Sequence, residues 1–325
     1  MSLHVRNIET RFKTRTGLVH AVNGVSFDVG DGELVGIVGE SGSGKSVTIN
    51  AILGLIRSPS TLSSGEAIFD GRNLLALKQA ELRRIRGARI GFVAQNPFGA
   101  LNPLLRISRQ FENVVRAHRR LDRTTIRTQA LDMLQAVGIG QPQRVLDGYA
   151  HELSGGMAQR VVIALALSLG PELIVADEPT TALDVTVQKQ ILDLIAGLVR
   201  GQGRSLLVIT HDLGVVGNYC DRVVVMYCGR VMEDGPVREV FRRPYHPYTR
   251  ALLCSVPRAG QPLRTLGGRL PSLDAPPQGC LFRDRCPHAM PVCADHVPPL
   301  REIAPGRRVA CHLDVEREVP ALAAG

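Results

Sequence analysis

The stretch ELVGIVGESGSGKSVTINAIL, residues 33 to 53, has the residue types and spacing of a phosphate-binding loop. Gly39, Gly44, Lys45 and Ser46 fill the pattern GxxxxGK[ST], between an apolar run from Leu34 to Val38 and an apolar-periodic segment that follows. Gly39, Gly42 and Gly44 let the backbone curl until successive N–H groups face phosphate oxygens, and a helix beginning at Lys45 adds its positive end. Lys45 would reach the β- and γ-phosphates, and the Ser46 hydroxyl would ligate Mg²⁺. A chance Gly-rich turn would not come with a strand before it and a helix after it.

A second apolar run, ELIVADEP (172 to 179), ends in two carboxylates. Asp177 at the strand end would face the Mg²⁺ shell, and Glu178 one residue on would polarise the attacking water. Adjacent acids after a buried strand can also be a helix cap. Beside the Gly-rich loop, however, they point to nucleotide hydrolysis on a mostly parallel sheet, with ligand at the carboxyl ends of the strands.

A third group of residues lies near the end. Of seven cysteines, Cys280, Cys286, Cys293 and Cys311 fall in one stretch with spacing C-x5-C-x6-C-x17-C, while Cys220, Cys228 and Cys254 are scattered. Four thiolates hold either a tetrahedral Zn²⁺ or a [4Fe–4S] cluster, and the lack of a C-x2-C knuckle weakens the zinc-ribbon reading. His288, His296 or His312 can replace one ligand, and simple buried thiols are the plain alternative.

The elements that must position these groups fit a chain of 325 residues, long enough for one large domain and a smaller appendage. Hydrophobic residues make up 44%, aromatics only 4%, and Trp is absent, so no stacking surface for nucleic acid is apparent. The formal charge of +9 comes from 35 Arg and 4 Lys dispersed along the chain, which reads as a solvated surface and not as a basic patch. The start, MSLHVRNIETRF, lacks the apolar core of a signal peptide. The longest apolar stretch, residues 161 to 176, is interrupted by Gly170, Pro171 and Glu172 before the roughly 20 residues a membrane span needs. A cytoplasmic location is expected, and in a reducing compartment clustered cysteines favour metal over disulfide.

LSGGMAQR, Leu153 to Arg160, stands seventeen residues before DEP and ahead of an apolar helix. This octet resembles the signature of the ABC ATPases. The resemblance implies that Ser154, Gly155, Gly156 and Gln159 cap the γ-phosphate held by an opposite subunit, as a helix start suits an anion. It further implies that Gln95, in FVAQNPFGALNP, contacts Mg²⁺ and the water as the Q-loop glutamine. Asp184, ending TALD, would lie in the D-loop at a dimer interface, and His211, in LLVITHD, would contact the γ-phosphate. Ser41 and Val47 join the nucleotide-binding set by the same route, with catalytic roles for Glu178, His211 and Gln95 and Mg²⁺ held by Ser46, Gln95 and Asp177. The adenine-stacking residue is assigned to Phe12, with His20 as the alternative because the insertion KTRTG shifts the spacing.

The expected fold class is therefore α/β, a P-loop NTPase of the ABC ATPase type with an antiparallel β subdomain, a helical subdomain and a small Cys-containing C-terminal extension. The ATPase domain is expected over 1–240, its helical subdomain over about 96–158, and the extension over 241–325. PYHPYTRALL (244 to 253) and QNPFGALNP resemble the peptide-permease ATPases of the dipeptide and oligopeptide branch. A tail reading GCxFxxRCP, with two further cysteines, resembles members of that branch that carry an iron–sulfur cluster. That favours [4Fe–4S] over Zn²⁺ for the four-cysteine set.

The resemblance implies ATP hydrolysis powering uptake of di- or oligopeptides at the cytoplasmic face of the inner membrane. Because a signature cannot reach the γ-phosphate of its own chain, two such subunits must pair head to tail, as a homo- or heterodimer. The partners implied are a second ABC ATPase subunit, two transmembrane permease subunits and an extracytoplasmic peptide-binding protein, with no nucleic acid. The alternative is a soluble ABC ATPase acting on nucleic acid or ribosomes. Against it stand the lack of a tandem ATPase domain, of a long coiled coil and of a basic run.

Overall fold

Apolar runs without alternation become strands buried on both faces, the pattern expected of parallel sheets. Every residue of Leu34–Val38, Leu173–Asp177 and Ser205–Thr210 is buried. The computed structural model describes residues 2–15, 17–56, 58–181, 183–256, 266–274 and 276–314. Its strands are β1 (Leu3–Lys13), β2 (Leu18–Val29), β3 (Leu34–Val38), β4 (Thr61–Phe69), β5 (Arg72–Asn73), β6 (Ile90–Val93), β7 (Leu173–Asp177), β8 (Ser205–Thr210), β9 (Arg222–Tyr227), β10 (Arg230–Pro236), β11 (Arg301–Ala304) and β12 (Arg307–Val309). They belong to two compact units.

The first unit comprises Gly30–Glu33 and Leu77–Ile209. Here β6, β7 and β8 run parallel, with Ile90 beside Leu173 and Asp177 beside Ile209. Helices at Pro97–Ala100, Ile107–Arg116, Arg123–Ala136 and Pro142–Asp147 occupy the expected helical segment. Val115, Ile126 and Leu169 form a small core there, joined by Val114 and Leu121. The apolar stretch from 161 to 176 divides as its breakers demand: helix Gly155–Leu167, a turn with Gly170 at φ 74°, then β7. Among the described residues no helix is long and apolar enough to cross a membrane.

The second unit takes in Ser2–Val29, Leu34–Ala76 and the chain from Thr210 onward. One antiparallel sheet has the order β2, β1, β4, β5. Separately, β3 runs parallel to β9, β9 pairs antiparallel with β10, β10 with β12, and β12 with β11. On either side of the expected boundary near residue 241, residues 230–236 and 307–309 pair within one sheet. Glu233, fully buried, explains why this joint holds. It accepts the N–H groups of Tyr245 and His246 and the Arg307 guanidinium at 2.9–3.2 Å, so its charge is fully paired away from water.

Candidate active site

The Gly-rich turn bridges β3 and the helix Lys45–Ile52. Gly39, Gly42 and Gly44 adopt φ of 157°, 80° and 93°, where side chains are strained. At Gly39 a Cβ would lie 2.1 Å from the Met226 carbonyl oxygen, and at Gly44 2.5 Å from that of Ala21. Those two glycines are thus required by close approach of backbone as well as by conformation. The helix begins without a side-chain cap, and its positive end faces the turn. Lys45 is buried, and its Nζ donates to the carbonyls of Gly39 (2.8 Å) and Glu40 (3.1 Å), spanning the loop from inside. Ser41 and Gly42 are exposed, and Ser46 and Val47 are half-buried.

In the other unit β7 ends on Asp177, which is 5% exposed. Glu178 follows with φ 44°, a left-handed conformation uncommon for a residue with a side chain and of the kind that concentrates at functional sites. Its backbone N–H donates to the Ile209 carbonyl at 2.9 Å. Gln95 Nε2 and Thr181 Oγ1 both donate to Glu178 Oε2, each at 2.9 Å. The carboxylate is thereby held in one orientation as an acceptor, the state a general base requires. Thr181 was not foreseen as a functional residue. Only the i to i+3 spacing of a hydroxyl after the acid hinted at it.

Ser154 caps the helix Gly155–Leu167, accepting from the Met157 N–H at 3.3 Å. Gly156 packs closely, since a Cβ there would meet Val187 Cγ1 at 3.1 Å. Gln159 stands apart from its signature neighbours. It is 2% exposed, and its Nε2 is buried without a hydrogen-bond partner among the described residues, so it faces the interior and not an incoming nucleotide. Asp184 caps the helix Val185–Arg200 through the Val187 N–H at 3.0 Å. His211 is exposed just beyond β8. Phe12 lies half-buried near the end of β1, opposite Val19 of β2, and the His20 N–H is engaged by the Leu273 carbonyl at 2.9 Å.

The four clustered cysteines converge without closing on a metal. The Cys280 N–H donates to the Cys293 carbonyl at 2.9 Å, and Cys280 and Cys293 are buried. Burial pushes the Cys311 thiol up to about 11, with the other three sulfurs of the set adding to the rise. Burial likewise raises Cys280 and Cys286. Among the described residues, though, no three His, Cys, Asp or Glu side chains approach closely enough to hold a metal ion. The arrangement of the described residues therefore does not present a closed ligand set for the expected [4Fe–4S] or Zn²⁺.

What spacing could not find is how the tail meets the loop. Arg285 forms a bidentate pair with the Glu40 carboxylate at 2.7 and 3.0 Å, and the Glu40 N–H donates to Tyr248 Oη at 2.9 Å. These partners lie more than 200 residues apart in the chain, beyond any local pattern.

The segment 22–181 matches the model of the ABC transporter family, and 232–293 matches the oligopeptide/dipeptide transporter C-terminal region. Across nearly the whole chain, 49% of 314 residues are identical to a probable peptide ABC transporter ATP-binding protein of Sinorhizobium fredii, covering 95% of this chain and 94% of that one. This chain belongs to the ABC transporter ATP-binding proteins of the oligopeptide and dipeptide group. The oligopeptide transport ATP-binding protein OppD of Escherichia coli is 45% identical over 97% of this chain and 94% of its own. The dipeptide transport ATP-binding protein DppD of Bacillus subtilis is 45% identical over 99% and 98%.

Among solved structures, a dimeric ATP-binding cassette in a post-hydrolysis state bound to ADP and Pi superposes with a TM-score of 0.65. It shares 32% identity and covers 73% of this chain and 99% of its own. The ABC ATPase fold and ATP hydrolysis follow from this membership.

Proposed function

We propose that this ABC ATPase powers uptake of di- or oligopeptides across the cytoplasmic membrane, from the cytoplasmic face. One observation carries the reading: a single chain holds both the ATPase segment and the oligopeptide/dipeptide transporter C-terminal region. It pairs head to tail with a second ABC ATPase subunit and docks on two permease subunits, which receive peptide from an extracytoplasmic binding protein.

In this reading Gly39, Ser41, Gly42, Gly44, Lys45, Ser46 and Val47 bind the nucleotide, with Phe12 against the adenine. Ser154, Gly155 and Gly156 serve the partner's γ-phosphate, and Asp184 lies at the seam. Ser46, Gln95 and Asp177 suit Mg²⁺ because each offers a hard oxygen donor. Bound Mg²⁺ would neutralise phosphate charge. Glu178, kept as an acceptor by Gln95 and Thr181, takes the proton of the attacking water, and His211 steadies the γ-phosphate.

The four cysteines form a second proposed site, for [4Fe–4S] or else Zn²⁺, supported by their gathering in the one stretch 280–311. Anaerobic reconstitution should give visible absorption with iron and sulfide by elemental analysis. Zinc and a colourless protein would reassign it. For transport, the chain co-expressed with its neighbouring permeases and reconstituted in vesicles should drive ATP-dependent uptake of labelled di- and oligopeptides delivered by the binding protein. Stimulated hydrolysis with no peptide uptake would refute the substrate assignment.

A further inference from the structure

The phosphate loop of this chain contains a carboxylate. Glu40 follows Gly39 directly, at the start of the Gly-rich turn proposed above to bind the nucleotide. A negative charge there opposes an anionic ligand unless it is neutralised. Arg285 neutralises it: the guanidinium is 5% exposed and donates through Nη1 and Nη2 to both Glu40 oxygens, at 2.7 and 3.0 Å. Bidentate pairs of this kind fix geometry as well as charge.

Arg285 is itself held. Its Nε donates to the Gly267 carbonyl at 2.8 Å, and its Nη groups reach the Leu266 carbonyl and Tyr227 Oη, each at 3.3 Å. It lies over the Tyr227 and Phe282 rings, which pack against each other and against Tyr248. Tyr248, fully buried, takes the Glu40 N–H on its hydroxyl. Leu270, from the same tail, sits over Gly42, where a Cβ would be 3.6 Å from its Cδ1. Glu40 is therefore gripped at backbone and side chain by residues of the extension, while its carbonyl receives Lys45 Nζ from the other side.

We propose that Arg285 is a positioning residue for ATP binding, cancelling the charge of Glu40 and fixing the leading half of the phosphate loop so that nucleotide meets a preformed cradle. A loop with three glycines at positive φ loses much conformational freedom when it closes on a ligand, and anchoring it beforehand removes part of that cost. The inference concerns nucleotide binding by this chain and does not depend on which solute is carried.

The test measures ATP affinity by titration calorimetry and hydrolysis by steady-state kinetics on the full-length chain. Arg285→Gln should raise Kd and KM for ATP about tenfold while kcat stays within about twofold, since it strips a charge-assisted pair and strands a carboxylate near the phosphates. Adding Glu40→Gln to Arg285→Gln should recover most of that loss, because the stranded charge is gone. Arg285→Lys keeps the charge without the fork and should fall between, at roughly a threefold rise; it also serves if Arg285→Gln misfolds by circular dichroism. An unchanged KM in Arg285→Gln or Arg285→Lys would overturn the proposal. So would a double variant that binds ATP no better than Arg285→Gln alone.

Discussion

The Gly-rich loop and the Glu178 carboxylate, each proposed above for a part in ATP hydrolysis, are held in different ways. Glu178 is fixed by near neighbours: the strand end it follows, the hydroxyl of Thr181 three residues on, and the Gln95 amide. The loop is fixed by remote ones: Tyr248 and Arg285 from the extension, and the carbonyls of Met226 and Ala21 that leave no room for a Cβ at Gly39 and Gly44. The contrast teaches that the carboxylate proposed as base is held by its own turn together with Gln95 of the same unit, whereas the head of the Gly-rich loop is held by the tail.

The sharpest way to break that contrast is at the carboxylate. Glu178→Gln removes the base but leaves the cradle, so hydrolysis should fall by about 10² to 10⁴ while ATP affinity persists. Near-normal turnover in single-turnover assays would take Glu178 out of that role.

The loop half should instead respond to damage far from it. Arg307→Ala leaves the fully buried Glu233 without its cation, and breaking such a pair costs about 3–5 kcal/mol. Urea denaturation should show a loss of that size, and a shift under 1 kcal/mol would mean the tail is not tied down by this pair.

Acid should loosen the same joint. Burial drives His246 down to about 3, so it remains neutral in the folded chain while the unfolded chain protonates near 6.5. The folded value is the lower one, so the stability is fully present above about 6.5 and is lost as pH falls toward about 3. Between pH 7 and 5 the loss is about 2 kcal/mol. His246→Asn, which keeps an acceptor for the Tyr248 N–H, should flatten that slope in denaturation midpoints; an equal slope in both proteins would assign it elsewhere.

The smallest effect belongs to Thr181→Val. It deletes the Thr181 hydroxyl's hydrogen bond to the Glu178 carboxylate, worth about 1 kcal/mol, so kcat should fall several-fold with KM unmoved. A change confined to KM would contradict a role at the carboxylate.

Much of this was legible residue by residue. Gly39 to Ser46 and the β7 run into Asp177 and Glu178 rest on local rules of spacing, burial and turn conformation. The fully buried β3, β7 and β8 followed from unbroken apolar runs. A signature read as a string does not show that helix rotation turns the Gln159 side chain inward. The four cysteines were rightly seen as a group, yet ligand geometry depends on distances that spacing does not give.

The amino-acid sequence alone determined which residues are the candidates for the chemistry, because phosphate binding and proton abstraction use short motifs whose members are covalent neighbours. Tertiary structure alone decided that residues 230–236 and 307–309 share one sheet, that Glu233 is buried with its Arg, and that Arg285 meets Glu40 across 245 positions. Such pairings arise from the folding of the whole unit around a shared core, and a chain's linear order holds no record of which distant charges its folding will bring together.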